Sequence, residues 1–484
     1  MEQEVELKLE LPQGAVNAFI RADLLPSESD IADLRATYFD TPDRRLHAEG
    51  LSLRIRRSGA ECIQTVKADK GNGKAGLFAR AEWEMPVTGD APVLDTRTPV
   101  AALLGDDVAA VAPAFEVEVE RRRWQLANLG EKVELVLDQG LVRAGERQAQ
   151  ICEIELERKA GGAPWLFALA RRIEAVVPVR LGVVAKAERG YHLLEAARPA
   201  FKAEPVRLRP GMRADEAFVA VASVCVRHYR LNEALLLDHY DPQSLHQARV
   251  AVRRLRSALT LFKPMLAKAD VDRFQGELRW LAGVLGEARD LDVLVTRIEE
   301  SALLADVEAA RARVHDEVTD ALETHRVRAL MIDLMEWLTL GAGTVDADRQ
   351  ALREEAAERF AGQRLQHVYR RVIKGGRGMT KLDDEARHEV RKDAKKLRYA
   401  TEFFAGLFVE SRQRRRHAHF IEALEGLQDD LGALNDLVST PHILAKHDLA
   451  DAEGALSSRG RKKKLAAAAA ETHESLAEAK RFWR

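Results

Sequence analysis

Cysteine is scarce in this 484-residue chain, which contains only Cys62, Cys152 and Cys225 and no CxxC spacing. This scarcity argues against a zinc–thiolate site and fits the reducing environment of the cytoplasm. Long apolar runs are missing too, because no stretch approaches the ~20 residues that a membrane-spanning helix needs. No basic-then-apolar leader opens the sequence. We therefore expect a cytoplasmic protein that does not enter a membrane.

A large net charge is also missing, since 75 Lys and Arg stand against 77 Asp and Glu. The charge is nevertheless unevenly shared. Residues 1–200 hold 27 basic and 32 acidic side chains, whereas the remainder holds 48 and 45. Twelve of the 14 histidines follow residue 200. Two halves with different chemistry account for this distribution, and the small positive balance of the second half predicts only modest non-specific binding of nucleic acid.

Short stretches of alternating polarity dominate residues 1–200. In the first of them Glu4, Glu6 and Lys8 alternate with Val5 and Leu7. About eight such stretches, separated by glycine- and proline-containing turns, predict an antiparallel β-barrel in an α+β domain. One helix is expected after the last strand.

Several of these strands carry ionisable or polar residues two positions apart, which places them on one face of the strand. The rows are Glu4, Glu6 and Lys8; Arg54 and Arg56; Thr65 and Lys67; Arg80, Glu82 and Glu84; Glu116, Glu118 and Glu120; and Glu153, Glu155 and Glu157. One such row is usually a solvated face. Several rows in one barrel predict instead that the charges line a tunnel and that intervening residues such as Leu53, Val117 and Val119 pack outward. Opposed buried charges need a ligand that satisfies both signs, and a polyanion with a divalent cation is such a ligand.

The proline-containing stretch 201–212 predicts a linker between domains of residues 1–200 and 213–484. Leu, Ala and Arg recur at three- and four-residue spacing after it, which predicts an all-α helical bundle. The second half also repeats itself, because residues 245–262 match 387–404 and residues 281–294 match 427–440. We expect two tandem helical repeats, about 213–340 and 350–484.

Both repeats carry a basic stripe on one helix face. The stripes consist of His246, Arg249, Arg253 and Arg256, and of His388, Arg391, Lys395 and Arg398 with Lys392 beside them. A lone stripe is usually a solvated face, but its repetition favours a surface for a long polyanion. Asp290 and Asp436 could instead pair with some of these arginines and hold the bundle together. We also expect the histidines to add charge near pH 6.

The segment Glu4-Val5-Glu6-Leu7-Lys8 resembles the ExExK signature of the CYTH superfamily, the triphosphate tunnel metalloenzymes. The resemblance continues in order through YFDTPDRRLHAEGLSLRIRR (38–57), QTVKA (64–68), RRRW (121–124), CEIELE (152–157) and KAERGY (186–191), and it covers nearly all of residues 1–200. The basic repeats of the second half resemble the CHAD domain, a helical module associated with polyphosphate. A CYTH domain followed by a CHAD domain is similar to the bacterial inorganic triphosphatases.

The resemblance implies a role for each site residue. Glu4 and Glu6 would hold the catalytic Mg²⁺ or Mn²⁺, and Asp138, Glu153 and Glu155 would hold a second metal or position water. Lys8, Arg54, Arg56, Lys67, Arg121, Arg123 and Lys186 would clamp phosphates, and Glu82 would steer an arginine or water. Ala185 and Ala187 stand where the family often has small hydroxyl residues, so no hydroxyl contact is expected there.

The implied activity is metal-dependent hydrolysis of inorganic tripolyphosphate to pyrophosphate and phosphate, with long-chain polyphosphate as the partner of the helical domain. Three alternatives stay open: a non-catalytic polyphosphate-binding protein, a triphosphatase acting on thiamine triphosphate or nucleotides, and an adenylate cyclase, which shares the tunnel. Nucleic acid is the less favoured partner of the helical domain, since its net charge is small, and an association with polyphosphate granules stays open.

Overall fold

Polar–apolar alternation builds one sheet in the first half of the chain. The computed structural model describes residues 4–68, 76–296, 298, 301–341, 345–447 and 459–484. Within these residues nine strands form an antiparallel sheet. They are β1 (Glu4–Glu10), β2 (Asp30–Asp40), β3 (Leu51–Ser58), β4 (Glu61–Ala68), β5 (Leu77–Pro86), β6 (Ala112–Asn128), β7 (Glu131–Ala144), β8 (Arg147–Ala160) and β9 (Arg180–Leu181).

The sheet curls until its two edges meet. Its strand order is β5-β4-β3-β2-β6-β7-β8-β1-β9, and β1 pairs with β5 as well as with β8. The first residues of β1 pair with β5, and Glu6–Glu10 pair with β8. The eight longer strands therefore enclose a lumen, which confirms the predicted antiparallel barrel.

Fifteen α-helices lie among the described residues. They are α1 (Val16–Ile20), α2 (Arg45–Ala48), α3 (Pro99–Leu104), α4 (Pro164–Glu174), α5 (Lys186–Leu193), α6 (Ala214–Asp238), α7 (Pro242–Phe262), α8 (Lys268–Val295), α9 (Ser301–Glu323), α10 (His325–Leu340), α11 (Ala347–Glu354), α12 (Ala357–Gly375), α13 (Asp384–Phe404), α14 (Ser411–Lys446) and α15 (Arg459–Glu478). The chain divides into a first unit of residues 1–199 with 322–341, and a second unit of residues 200–321 with 342–484. Helix α10 thus belongs to the first unit, although it lies far along the chain from the strands.

Short helices cover the outer face of β3. Leu53 and Ile55 pack there against Leu46 of α2 and against Val100 and Leu104 of α3. Burying each such side chain contributes about 1.5–3 kcal/mol relative to exposure. Because neighbours on a strand face opposite sides, this outward packing turns the alternate residues of β3 into the lumen.

The predicted direction of β6 is wrong. Val117 and Val119 do not pack outward but join the buried cluster on the lumen side, together with Tyr38 and Tyr191. The row of Glu116, Glu118 and Glu120 consequently faces away from the lumen, where Glu116 and Glu120 are exposed.

Helix α5 closes one end of the lumen. The hydroxyl of Tyr191 donates a 2.7 Å hydrogen bond to Asp40, which also accepts from the backbone N–H of Leu46 at 2.9 Å. Gly190 lies against the ring of Phe115 so closely that a Cβ atom would overlap it. The absence of a side chain at this position lets the helix enter the barrel end.

Helix α10 is bound to α4 by ion pairs. Arg171 lies 2.6 Å from Asp333 and also contacts Glu336. Arg328 donates in return to Glu174 at 2.8 Å. Residues of α10 therefore complete the packing of the first unit, although the sequence pattern assigned them to the helical repeats.

The second unit is helical, as predicted, and its two repeats share details of construction. Asp241 accepts a hydrogen bond from the first turn of α7, and Asp383 does the same for α13, each at 2.7 Å. Phe262 and Phe404, which end these two helices, meet edge to face in the core with centroids 5.6 Å apart. No helix in the described part of the chain combines the length and the hydrophobicity needed to cross a membrane.

Candidate functional site

The lumen of the first unit contains a cavity of about 280 Å³. Strand register assembles its walls, because Lys67 on β4 lies opposite Glu82 on β5, and Lys8 on β1 lies opposite Glu155 on β8. Ten of the predicted site residues line it: Glu6, Lys8, Arg54, Arg56, Lys67, Glu82, Arg121, Arg123, Glu155 and Lys186.

The other three predicted residues of this site are those predicted to be metal ligands, Glu4, Asp138 and Glu153. Asp138 and Glu153 lie directly behind the cavity wall, opposite each other on β7 and β8, and are 0% and 1% exposed. The side chain of Glu4 lies outside the part of the chain that the structure describes.

Three carboxylates meet at this wall of the cavity. Asp138, Glu153 and Glu155 each place an oxygen within 4.8 Å of the others. The ammonium of Lys186 lies 2.6 Å from Asp138, 2.6 Å from Glu153 and 2.8 Å from Glu155. The ammonium of Lys8 contacts Glu155 and lies 3.3 Å from Glu153. Buried acids and bases thus satisfy one another in a dense network.

Two arginines extend this network. Arg121 donates to Asp138 at 2.8 and 2.6 Å and to Glu155 at 3.1 Å. Arg189 donates to Glu153 at 3.5 Å. Sequence reasoning did not select Arg189, although it follows Lys186 by three residues and therefore lies on the same face of α5.

The network holds Glu153 and Glu155 in the charged form. Burial opposes the charge on Glu153, but Lys186 and Lys8 outweigh burial and lower the pKa of Glu153 to about 2. The same two lysines hold the pKa of Glu155 well below its usual range. Asp138, Glu153 and Glu155 raise the pKa of Lys186 well above that of an ordinary lysine, against the effect of burial. Glu153, Glu155 and Lys186 are therefore ionised near neutral pH.

The cationic wall of the cavity is less well compensated. Arg54 donates to the hydroxyl of Tyr38 at 3.4 Å, and Arg56 lies 3.6 Å from Glu84. Within the described residues, neither Arg54 nor Arg123 forms an ion pair. Burial, followed by the charges of Arg54 and Arg121, lowers the pKa of Arg56. This wall therefore carries positive charge that an anion would neutralise.

The donor set fits a divalent cation on one side and phosphate on the other. Carboxylate oxygens are the ligands that Mg²⁺ and Mn²⁺ prefer, and Asp138, Glu153, Glu155 and the nearby Glu6 supply them. Arginine forks and lysine ammonium groups bind phosphate oxygens.

Sequence reasoning missed part of the cavity lining. Tyr38 on β2, Glu134 on β7 and Lys159 on β8 all face the cavity. Two of them could have been predicted, because residues an even number of positions apart on a strand share a face. Glu134 lies four residues before Asp138, and Lys159 lies four residues after Glu155. Tyr38 faces the lumen opposite Arg54 on β3.

The second unit contains a larger cavity, of about 1200 Å³, between its two repeats. Eight of the nine residues in the predicted basic stripes line it: His246, Arg249, Arg253, Arg256, His388, Arg391, Lys392 and Lys395. Arg398 is not among its lining residues and donates to Glu402 at 2.8 Å. Arg289 of α8 also lines the cavity, and sequence reasoning missed it because it lies outside the repeated stripe.

Positive charge is concentrated in this cavity. Lys395 makes no ion pair with a described carboxylate, and burial together with Arg253, Arg391 and Arg249 lowers its pKa to about 6. Burial and the charges of Arg289, Arg253 and Arg249 lower the pKa of His246 to about 4. For His246, the expectation of added charge near pH 6 is therefore wrong.

The alternative pairing of the stripes with acids is present in a loose form. Asp290 lies 3.9 Å from Arg249 and also lines the cavity with Asp436. Burial raises the pKa of Asp290. These two carboxylates offset only part of the positive charge.

Comparison with known families assigns one domain model to each half of the chain. The CYTH domain model matches residues 2–191, and the CHAD domain model matches residues 220–445. An inorganic triphosphatase of Haemophilus influenzae is 31% identical over 210 residues, which are 40% of this chain and 55% of that protein. The chain thus spans about half the length of this relative. An uncharacterised protein of Mycobacterium tuberculosis, MT2285, is 28% identical over 434 residues, 82% of this chain and 81% of its own length.

Two solved structures are similar to parts of the chain. The CHAD domain from the plant Ricinus communis is 30% identical and covers 59% of this chain and 94% of its own, with a TM-score of 0.46. The PH1819 protein of Pyrococcus horikoshii is 20% identical and covers 38% and 96%, with a TM-score of 0.26. With the two family models matching most of its residues, the chain belongs to the proteins that join a CYTH domain to a CHAD domain.

Proposed function

We propose that the first unit hydrolyses inorganic tripolyphosphate to pyrophosphate and phosphate, with Mg²⁺ or Mn²⁺ as cofactor. The observation that carries this proposal is the cavity itself, in which ionised carboxylates stand opposite incompletely neutralised arginines. The inorganic triphosphatase among the relatives supports the same activity. An anionic chain of phosphates with a bound cation would satisfy both walls at once.

The residues divide the work by their chemistry. Asp138, Glu153 and Glu155, with Glu6 and Glu4, would hold the metal, which when bound neutralises phosphate charge and activates water. Lys8, Arg54, Arg56, Lys67, Arg121, Arg123 and Lys186 bind and orient the phosphate chain.

Phosphoryl transfer depends on charge neutralisation and in-line positioning more than on covalent chemistry. The cationic residues hold the terminal phosphorus open to attack by water. Glu82, 3.2 Å from Lys67, orients this lysine or the attacking water. A carboxylate of the lumen accepts the proton that the water loses.

Phosphate release from tripolyphosphate in the presence of Mg²⁺ or Mn²⁺ tests the proposal. We expect release by the wild-type protein and almost none by Arg54→Ala or Glu6→Gln. The matched control is Glu116→Gln, which removes a similar charge from the outer face of β6 and should keep activity. Equal activity in all four proteins would overturn the site.

A related substrate is the principal alternative, because thiamine triphosphate and nucleoside triphosphates carry the same phosphate chain. We favour the inorganic substrate because the described cavity lining is almost entirely charged or polar, with only small apolar contributions from residues such as Val136 and Ala185. Comparison of tripolyphosphate, thiamine triphosphate and ATP as substrates decides between them. No hydrolysis of any substrate, with retained polyphosphate binding, would favour the non-catalytic alternative.

We propose further that the cavity of the second unit binds long-chain polyphosphate. Both repeats direct their basic residues into this one cavity, where burial and the neighbouring arginines disfavour the charge on Lys395 until an anion enters. Nucleic acid offers similar phosphate charge, so it serves as the competitor in the test.

Retention on immobilised long-chain polyphosphate tests this binding. The double variant Arg253→Glu with Lys395→Glu should lose retention at a salt concentration that the wild type withstands. Arg412→Glu with Arg414→Glu makes the same charge change at exposed positions of α14 and should bind nearly as well as the wild type. Loss of binding in both variants alike would refute the cavity.

We infer a cytoplasmic location, associated with polyphosphate where that polymer accumulates. Cys62, Cys152 and Cys225 are all free thiols, as a reducing compartment favours. Fluorescence microscopy of the tagged protein in cells with and without polyphosphate tests the association.

A further inference from the structure

We propose that Lys186 is a tethered counter-ion of the candidate metal ligands. It holds Asp138, Glu153 and Glu155 in the substrate-free protein, and it exchanges them for phosphate when a divalent cation and tripolyphosphate are bound together. This proposal rests on the function proposed for the first unit and adds a coupling between its two ligands.

The position of the ammonium is the first argument. Its distances of 2.6, 2.6 and 2.8 Å place it on the same three oxygen-bearing groups that form the candidate metal site. A lysine ammonium has three donors, which match three acceptors from different directions. Lys186 therefore supplies the contacts that a metal would otherwise make with these acids.

The balance of charge is the second argument. Four cations of the network, Lys8, Arg121, Lys186 and Arg189, stand against five carboxylates, those of Glu6, Glu10, Asp138, Glu153 and Glu155. A divalent cation added to this network leaves an excess of buried positive charge, which is unfavourable without a further partner. One cation of the network must therefore find an anion elsewhere.

Lys186 is the cation best placed to do so. It is the first residue of α5, and its side chain also lines the cavity that Arg54, Arg56 and Arg123 share. A lysine stem has several rotatable bonds, whereas Arg121 is fixed by paired hydrogen bonds to Asp138. The ammonium can thus turn from the carboxylates toward a phosphate chain in the cavity.

The exchange makes the two ligands dependent on each other. Without polyphosphate, the released ammonium, on a residue that is 7% exposed, would stay buried with no partner. With tripolyphosphate present, a phosphate oxygen becomes that partner. Each ligand therefore raises the affinity for the other by the same factor.

Titration of the substrate-free, full-length protein with Mn²⁺ tests the exchange, with free Mn²⁺ measured by electron paramagnetic resonance. Lys186→Met should bind Mn²⁺ more tightly than the wild type by about tenfold, the order of effect that a neighbouring group exerts on a metal site. Lys159→Met removes another cation of the same cavity, one that pairs with Glu157, and should leave the affinity unchanged. Equal or weaker Mn²⁺ binding by Lys186→Met would overturn the proposal.

A measurement on the wild type remains decisive if the variant does not fold. Saturating Mg²⁺ together with diimidotriphosphate, whose bridging nitrogens resist hydrolysis, should raise the melting temperature by more than the sum of the two separate shifts. Strictly additive shifts would contradict the coupling.

Phosphate release by the wild type separates this proposal from the proposed function. A wild type that hydrolyses tripolyphosphate, with Lys186→Met binding Mn²⁺ no more tightly, would refute the exchange alone. A wild type without phosphatase activity, with tighter Mn²⁺ binding by Lys186→Met, would support the exchange and refute the reaction.

Discussion

The guanidinium of Arg249 lies so close to Gly286 that a Cβ atom on residue 286 would overlap it. The second repeat has the same arrangement in Arg391 and Gly432, but there a Cβ would stand 3.6 Å from the guanidinium, in ordinary contact. The two glycines occupy matching positions of α8 and α14. Each gives an arginine of the basic stripe room to reach the cavity, and the first does so under a tighter constraint.

Replacing Gly286 by alanine should therefore separate stability from binding. The guanidinium of Arg249 can swing away, and alanine improves helix propensity by up to about 1 kcal/mol, so unfolding free energy should not fall. Polyphosphate affinity should fall by about tenfold, the equivalent of one lost charged hydrogen bond. Chemical denaturation and a binding titration measure the two quantities.

Gly432→Ala is the matched control. It should gain similar stability and keep the wild-type affinity, because its Cβ meets Arg391 without overlap. An equal loss of polyphosphate affinity in both variants would mean that a change in the helices, and not the displacement of Arg249, lowers the affinity.

Lys395 should make folding stability depend on pH. Its folded pKa of about 6 lies below the ordinary value of 10.5, because burial and then Arg253, Arg391 and Arg249 disfavour its charge, against a smaller opposing effect of Asp436. Between these values the unfolded chain binds more protons than the folded one, so the unfolding free energy rises as pH increases from about 6 toward 10. Denaturation of Lys395→Met across this range should show a smaller rise than the wild type.

The neighbouring Lys392 provides the control for that slope. It is exposed and lies beside Glu389, so Lys392→Met should retain the wild-type dependence on pH. A slope that is the same in wild type and Lys395→Met would show that the amine of Lys395 stays protonated in the folded state.

The hydrogen bond between Tyr191 and Asp40 should contribute to the free energy of unfolding. Tyr191→Phe leaves one acceptor of Asp40 unused and should cost about 1–3 kcal/mol of unfolding free energy. Asp40→Ala also removes the acceptor for the backbone N–H groups of Leu46 and His47, and should cost more. Thermal melts of the two variants compare these losses, and a larger loss in Tyr191→Phe would contradict the assignment.

Strand parity explains both the success and the failure of the predicted tunnel. Glu6, Arg56 and Glu155 face one lumen, each together with the charged residues two positions away on its own strand. This spacing of two can be read directly from the sequence. On β6 the glutamates at 116–120 and the arginines at 121 and 123 have opposite parity, so only one set can face inward. The choice depends on how β6 pairs with β2 and β7, and such non-local pairing is not written in the alternation of one strand.

The basic stripes were predictable for a different reason. A helix fixes the relative direction of residues three and seven positions apart, so His246, Arg249 and Arg253 share a face whatever surrounds them. The helical period also assigned α10 to the second half, because periodicity reports a helix without naming the partner it packs against. The packing partner of α10 includes Arg171 of α4, which pairs with Asp333 although the two residues lie 162 positions apart in the sequence.

Helix α10 yields the last prediction. A chain that ends at residue 200 lacks α10, so Arg171 loses Asp333 and Glu336, and the buried Glu174 loses Arg328. We expect this shortened chain to melt at a lower temperature than the same chain with residues 322–341 joined to its end through a flexible linker. A joined segment carrying Asp333→Arg and Glu336→Arg places like charges against Arg171 and should restore less of the melting temperature. Equal melting temperatures for all three chains would mean that α10 adds no stability to the first unit.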